Sequence, residues 1–105
     1  MYMILHLYQE KYQDDVLMAL TEAGIEETIV LSGESLVHKL AFDMPLFAGF
    51  RKSYGSGKGF ASVIMAIAAK EQVEFMLEEL KNSGIEFIEN KLGSIVLLPV
   101  ENIYK

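Results

Sequence analysis

The apolar positions of the chain follow a strand period and then a helix period. Residues 2–8 are apolar at nearly every position and lead into a polar turn, which predicts a buried strand. After Asp14 and Asp15, apolar residues recur at helical spacing until Gly24 interrupts them, which predicts a first helix. Residues 25–32 contain a β-branched run that predicts a second strand.

The same order returns about sixty residues later, where Gly84-Ile85-Glu86 repeats Gly24-Ile25-Glu26. Residues 60–68 predict a third strand and residues 95–98 a last one. Between them, the buried face of a second helix is predicted from Val73, Met76, Leu77 and Leu80. Strand, helix and strand occurring twice is the ferredoxin-like βαββαβ plan, an α+β sandwich with an antiparallel sheet and two helices on one face.

The predicted strands are apolar on both faces of this sheet. In the first strand, Met3, Leu5 and Leu7 alternate with Tyr2, Ile4 and Tyr8. The two helices cover one face, and no predicted element is left over for the other. We therefore expect copies of the chain to associate through the second face around a symmetry axis.

Composition limits the classes of function. The chain has 105 residues, enough for a single domain over residues 1–105. Its net charge is −6, and it contains two histidines and no cysteine, so nucleic acid and a histidine-based metal site within one chain are not expected. The N-terminus lacks the pattern of a signal peptide, and no apolar run reaches the length of a membrane span. A cytoplasmic protein that is not membrane-embedded is expected.

Two stretches of the chain resemble the P-II nitrogen regulatory proteins. The first comprises Asp14-Asp15-Val16, Ala19-Leu20, Glu22, Gly24-Ile25 and Thr28, and the second is Gly93-Ser94-Ile95-Val96-Leu97-Leu98-Pro99-Val100-Glu101. Between them, at about residues 33–59, lies an insert that occupies the place of that family's T-loop, a long loop that contacts target proteins. The resemblance implies a trimer with clefts between subunits, where adenine nucleotides and 2-oxoglutarate bind.

The residues for that cleft are partly those of the family. Thr28, Gly93 and Lys105 align with its nucleotide site. Ser94 stands where a phosphate-binding lysine would be, and residues 32–35, at the base of the insert, lack the family's arginine. Because a triphosphate needs several cationic donors besides backbone amides, the effector is expected to be a small anionic metabolite, with an adenine nucleotide as one candidate.

The insert differs in charge from the rest of the chain. It is net positive, whereas the remainder is strongly negative: its charged residues are Lys39, Arg51, Lys52 and Lys58 against Glu34 and Asp43. Arg51 is the only arginine, and a planar guanidinium suits a carboxylate or a phosphate. Arg51 is therefore expected either to hold an anionic effector or an acidic partner, or to lie at a solvated loop tip.

The middle of the insert is rich in apolar residues and glycine. Residues 43–50 are too apolar for a disordered loop, so they are expected either to order on a partner or to cover this protein's own or a neighbour's core. Residues 53–59 resemble a phosphate loop, yet they lead into a strand and not into a helix, which favours a hinge. Tyr54 is a modification site by analogy with the family's loop tyrosine.

The sequence thus predicts a trimeric P-II-like regulator in which Thr28, Arg51, Gly93, Ser94 and Lys105 bind a small anionic effector and the insert contacts a protein target. A catalytic role is not expected, because no serine has a nearby base and no carboxylate pair can be placed across a cleft. Two alternatives stay open. One is a trimer resembling the CutA cation-tolerance family, which would bind a divalent metal through histidines and carboxylates. The other is a structural trimer without a switch.

Overall fold

The computed structural model describes residues 1–43 and 59–105. The strands are β1 (Tyr2–Leu7), β2 (Ile29–Glu34), β3 (Phe60–Ile67) and β4 (Gly93–Leu98). The helices are α1 (Gln13–Glu22), α2 (Leu36–Asp43) and α3 (Lys70–Asn82), and a 3₁₀ turn (Glu10–Tyr12) precedes α1. None of the helices in these ranges combines the length and the hydropathy needed to cross a lipid bilayer.

The four strands form one sheet in the order β2-β3-β1-β4, and every neighbouring pair is antiparallel. β1 therefore lies between two strands of the second repeat, and β3 lies between two strands of the first. This is the split arrangement that the ferredoxin-like plan requires. The predicted fold class, α+β with an antiparallel sheet, is confirmed.

The core lies between the sheet and the pair α1 and α3. In β1 every second side chain is fully buried, as the pleat of a half-covered strand dictates. The side chains that fill this layer are Met3, Leu5, Leu7 and Ile64 from the sheet, Val16 and Leu20 from α1, and Met76 and Leu80 from α3. Two helices on one face of the sheet, as predicted, account for this single cluster.

The repeated Gly-Ile pair ends both of these helices in the same way. Gly24 and Gly84 adopt φ values of +76° and +82°, which glycine reaches without steric cost. The next residue then turns back, so that the Ile25 amide donates to the Leu20 carbonyl and the Ile85 amide to that of Leu80. Both isoleucines are buried, so each glycine turn also adds an apolar side chain to the core.

Gln72 joins the end of α1 to the start of α3. Its side-chain oxygen accepts from the Ala69 amide at 2.8 Å, inside the first turn of α3. Its side-chain nitrogen donates to the carbonyls of Ala23, at 3.3 Å, and Gly24, at 3.1 Å. One amide therefore satisfies backbone groups at two helix ends that would otherwise need water.

The region around β2 differs from the sequence prediction. β2 begins four residues later than predicted and continues to Glu34, because residues 25–28 close α1 and form the turn that follows it. The helix α2 was not predicted. Ser35 acts as its N-cap, since the Ser35 hydroxyl accepts from the His38 amide at 3.3 Å. A serine followed by Leu36 and Leu40 at helical spacing was the signal for this helix.

Gly93 is required by packing at the first residue of β4. A Cβ atom there would overlap the His6 carbonyl oxygen and lie 2.7 Å from Phe87 Cζ. We expect Gly93→Ala to lower the free energy of unfolding by about 1–3 kcal/mol, the usual cost of overpacking. Urea unfolding followed by circular dichroism measures this change.

Gly33→Ala is the matched control, because a Cβ at Gly33 meets its nearest neighbour, the Ala61 carbonyl oxygen, at an ordinary 3.6 Å. This variant should unfold at the same urea concentration as the parent protein or at a higher one. Equal stability of the two variants would show that the backbone at Gly93 has room for a side chain.

Candidate functional site

The face of the sheet opposite α1 and α3 is apolar, and its side chains are partly or largely exposed among the described residues. The strand register places Ile29, Met65, Ile4 and Val96 in one row across all four strands. The edge strands contribute its most accessible members: Ile29 is 58% exposed, Leu31 50% and Val96 49%. A continuous apolar surface of this kind marks an interaction surface in a soluble protein. We call it the open sheet face.

His6 lies near the centre of the open sheet face, in the row that runs from Leu31 through Val63 to Ser94. Its Nδ1 atom lies 3.3 Å from the Tyr8 hydroxyl, and the two rings meet edge to face with centroids 6.2 Å apart. Within residues 1–43 and 59–105, no three histidine or carboxylate side chains stand close enough together to hold a metal ion.

The two ends of the insert are joined at the edge of the sheet. The Ser35 amide donates to the Gly59 carbonyl at 2.9 Å, one step beyond the pairing of Glu34 with Phe60. The His38 ring packs directly on Gly59, whose φ of +62° and missing Cβ leave room for it. His38 Nδ1 also lies 2.6 Å from Glu34 Oε2. These contacts form the insert neck, which fixes where the insert leaves and rejoins the domain.

Thr28 and Lys105 lie at one end of the sheet. Thr28 precedes β2 and lines a groove of about 240 Å³ between α1 and β2. Lys105 reaches the same region, because its ammonium group lies 3.2 Å from the carboxylate of Glu27. Glu26 and Glu27 also line the groove, and the Lys105 contact offsets the charge of Glu27. The structure thus brings these two predicted site residues together.

Gly93 and Ser94 lie at the other end of the sheet. They begin β4 opposite Leu7 and His6, the last residues of β1, and therefore share an end with the insert neck. Within one chain they do not meet Thr28 or Lys105. Arg51, the apolar segment after residue 43 and Tyr54 lie outside the described residues, so their predicted roles stay predictions.

In the loop that leads to Gly93, backbone amides are hydrogen-bonded to carbonyls of the loop itself. The amides of Asn90, Lys91 and Leu92 donate to carbonyls of the same loop at distances of 2.9–3.1 Å. Lys91 takes a φ of +53° in this compact turn. A phosphate cradle presents free backbone amides to its anion, whereas these three amides are already bonded within the loop.

The helical layer has an acidic groove between α1 and α3. Asp14, Asp15, Glu22 and Glu79 line it, and no lysine or arginine of the described chain does so. A hydrogen bond with Glu22 raises the pKa of the Glu79 carboxyl above its ordinary value, with smaller contributions from burial and from repulsion by Glu22 and Glu78. The Glu79 carboxyl therefore keeps its proton to a higher pH than an isolated glutamate does.

Solved structures with this fold are found, although no protein-family model matches the sequence and no curated protein shows significant similarity to it. CPII from Thiomonas intermedia K12, bound to ADP, AMP and acetate, has a TM-score of 0.54 and 15% identity. The comparison covers 90% of this chain and 80% of that one.

Two further CPII structures agree with the first. The apo form, described as a nitrogen regulatory PII-like protein, has a TM-score of 0.53 at 17% identity and covers 90% and 83% of the two chains. The form with ADP, AMP and bicarbonate has a TM-score of 0.50 at 16% identity and covers 90% and 80%. The chain has the fold of the PII-like proteins, as its resemblance to that family indicated.

The Glu22–Glu79 contact predicts a pH dependence of stability. The pKa of Glu79 is raised in the folded state. Glu79 therefore stabilises the fold below the ordinary carboxyl pKa, and this stabilisation is lost as the pH rises through the raised pKa. We expect Glu79→Gln to raise the melting temperature at pH 7 and to leave it nearly unchanged near pH 4. Calorimetry across this pH range measures the difference.

Glu101→Gln is the control, since it removes the same charge at an exposed position beyond β4. If both variants raised the melting temperature equally at pH 7, net charge and not the carboxyl pair would be responsible.

Proposed function

We propose that this chain is a PII-like regulatory protein and not an enzyme, and that it forms a cytoplasmic homotrimer. It binds a small anionic effector, foremost an adenine nucleotide, at clefts between subunits. The insert at residues 33–59 of this single domain then alters its contact with a protein target. The observation that carries the proposal is the open sheet face together with the position of the site residues at its two edges.

The open sheet face supports the assembly. Burying apolar surface contributes roughly 25 cal/mol per Å², and three large side chains of the edge strands, Ile29, Leu31 and Val96, are about half exposed in the single chain. A closed ring of copies covers each face with a neighbour and leaves no apolar face in water. The resemblance to P-II proteins supports a ring of three.

The placement of the site residues supports a cleft between subunits. β2 and β4 are the two edge strands, Thr28 precedes the first and Gly93 begins the second. A single chain keeps these residues at opposite ends of the sheet. When copies pack around an axis, an edge of one sheet approaches an edge of the next, so that Thr28 and Lys105 of one chain combine with Gly93 and Ser94 of a neighbour.

An adenine nucleotide is the effector class that the comparison favours. The two ligand-bound CPII structures hold ADP and AMP, one with acetate and the other with bicarbonate. In this chain the donors proposed for the phosphates are the Lys105 ammonium group, the Ser94 hydroxyl and the Arg51 guanidinium. A monophosphate or a diphosphate suits this small donor set better than a triphosphate does.

The insert neck supports a regulatory role for residues 33–59. The neck holds the insert at the same end of the sheet as Gly93 and Ser94. A ligand at that end therefore lies close to the point where the insert leaves the domain. The net positive charge of the insert suits contact with an acidic surface on the target protein.

Val96→Glu tests the assembly. A carboxylate on the open sheet face cannot be buried without a large desolvation cost, so we expect the variant to sediment as a monomer while the parent protein sediments as a trimer. Analytical ultracentrifugation measures both masses. Because Val96 is 49% exposed in the single chain, the domain itself should stay folded.

Phe75→Glu is the matched control, since Phe75 is 48% exposed but lies on α3, away from the open sheet face. It should remain a trimer. A monomeric parent protein, or a Val96→Glu variant that stays trimeric, would contradict assembly through this face.

Thermal denaturation with ATP, ADP, AMP, bicarbonate, 2-oxoglutarate or divalent cations tests the effector. A ligand at about 100 times its Kd stabilises the native state by about 2.7 kcal/mol, so we expect an adenine nucleotide to raise the melting temperature by several degrees. Lys105→Ala and Arg51→Ala should each weaken nucleotide binding about tenfold, as loss of a charge-assisted hydrogen bond does.

Lys70→Ala is the control, because it removes a lysine from the first turn of α3, outside the proposed cleft. It should bind nucleotide as the parent protein does. A response to divalent metal alone would favour the cation-binding alternative, and no response to any nucleotide would refute the proposed effector class.

A further inference from the structure

A second surface lies on the helical layer, between α3 and the segment that follows it. It is a groove of about 210 Å³. Leu77, Ile85 and Phe87 form its apolar floor, and Glu74, Glu78, Glu86 and Glu89 line its rim. Lys81 is the single basic residue among the described residues that line it. We call it the α3 groove.

The carboxylates of the α3 groove are largely uncompensated. In the part of the chain that the structure describes, Glu78, Glu86 and Glu89 form no ion pair. Glu74 has only a long contact of 4.0 Å with Lys70, between two exposed side chains. Such an exposed pair stabilises a protein little. The rim therefore presents a negative field that the folded domain does not itself neutralise.

Apolar side chains extend from the floor of the α3 groove to its surroundings. Ile88 lines the groove and is 49% exposed. Leu77, which forms part of the floor, is only partly buried. An apolar floor with exposed apolar neighbours and a charged rim is the arrangement of a protein-binding surface.

The α3 groove stays accessible when copies associate through the open sheet face. The groove belongs to the helical layer, whereas the open sheet face is on the opposite side of the same sheet. The trimer proposed above therefore covers the open sheet face and leaves the α3 groove exposed.

We propose that the α3 groove docks a basic amphipathic segment of a partner protein. A bulky apolar side chain of that segment packs on the floor beside Ile88, and its lysine or arginine side chains pair with Glu78, Glu86 and Glu89. Both halves of the arrangement are needed. The floor alone would accept any apolar side chain, and the rim selects a basic sequence and rejects an acidic one.

The charges of the rim exclude other occupants. An anionic ligand would meet four carboxylates and a single ammonium group. A metal ion would need three converging ligands, and the described residues contain no such group. A second copy of the acidic helical layer would be repelled, because both surfaces would carry the same sign of charge.

Four synthetic peptides of equal length test the proposal on the 105-residue protein. The first is an amphipathic helix of lysine and leucine, the second has the same composition in scrambled order, the third replaces lysine by glutamate, and the fourth replaces leucine by alanine. NMR titration of the isotope-labelled protein reports both affinity and location. The first peptide should bind with shifts concentrated in residues 74–89, and the other three should bind at least about tenfold more weakly.

The double variant Glu78→Lys with Glu86→Lys tests the site directly. It should weaken binding of the first peptide about tenfold or more, since two paired charges become repulsive. Glu71→Lys with Glu101→Lys makes the same change in net charge away from the groove and should alter binding less than about twofold. Thermal melts of both double variants establish that each remains folded.

Each of the following results would overturn the proposal. Equal losses in the two double variants would mean that the peptide senses net charge alone. Equal binding of the alanine peptide would mean that the apolar floor is not used. Absence of binding by the first peptide, or shifts confined to the open sheet face, would show that the α3 groove does not dock a basic segment.

Discussion

A sheet with two apolar faces and a single helical layer is the constraint on which the rest of this structure depends. The strand period fixes one set of side chains toward α1 and α3 and places an equally apolar set, including Ile4, Met65 and Val96, on the other side. α1 and α3 both contribute their buried side chains to the core on the first side. The arrangement of the candidate site follows from the same constraint, since its residues lie at the two strand edges that a neighbouring copy would approach.

Much of the fold was predictable because it depends on local rules. The two Gly-Ile pairs predicted the ends of both helices, because many helices end in a residue with positive φ followed by a buried apolar residue. The start of β2 was misplaced for the same reason: Ile25 has the β-branched side chain of a strand residue, but it completes the end of α1. Propensity does not distinguish these roles, because both bury the side chain.

The candidate site was less predictable, because it depends on which ends of the strands meet. Thr28 and Lys105 come together through Glu27, a residue with φ of +53° whose side chain carried no signal in the sequence. Gly93 matches the nucleotide site of the P-II proteins in sequence, yet close packing against His6 and Phe87 already requires a glycine there. The α3 groove was not predictable from the sequence, because Glu74 and Glu78 have the spacing of an ordinary solvated helix face. Only the fold places Glu86 and Glu89 beside these two residues.

The sheet order also has a consequence for biosynthesis. β1 is hydrogen-bonded to β3 and β4 and has no partner within the first repeat. The amide of Gln72, which satisfies carbonyls at the end of α1, likewise comes from the second repeat. A nascent chain that has emerged only as far as the insert therefore has no neighbour for its first strand, and it lacks the side chain that bonds the Ala23 and Gly24 carbonyls. Although the sequence reads as a duplication, the two halves fold as one cooperative unit, and the ribosome must release nearly the whole domain before the sheet can close.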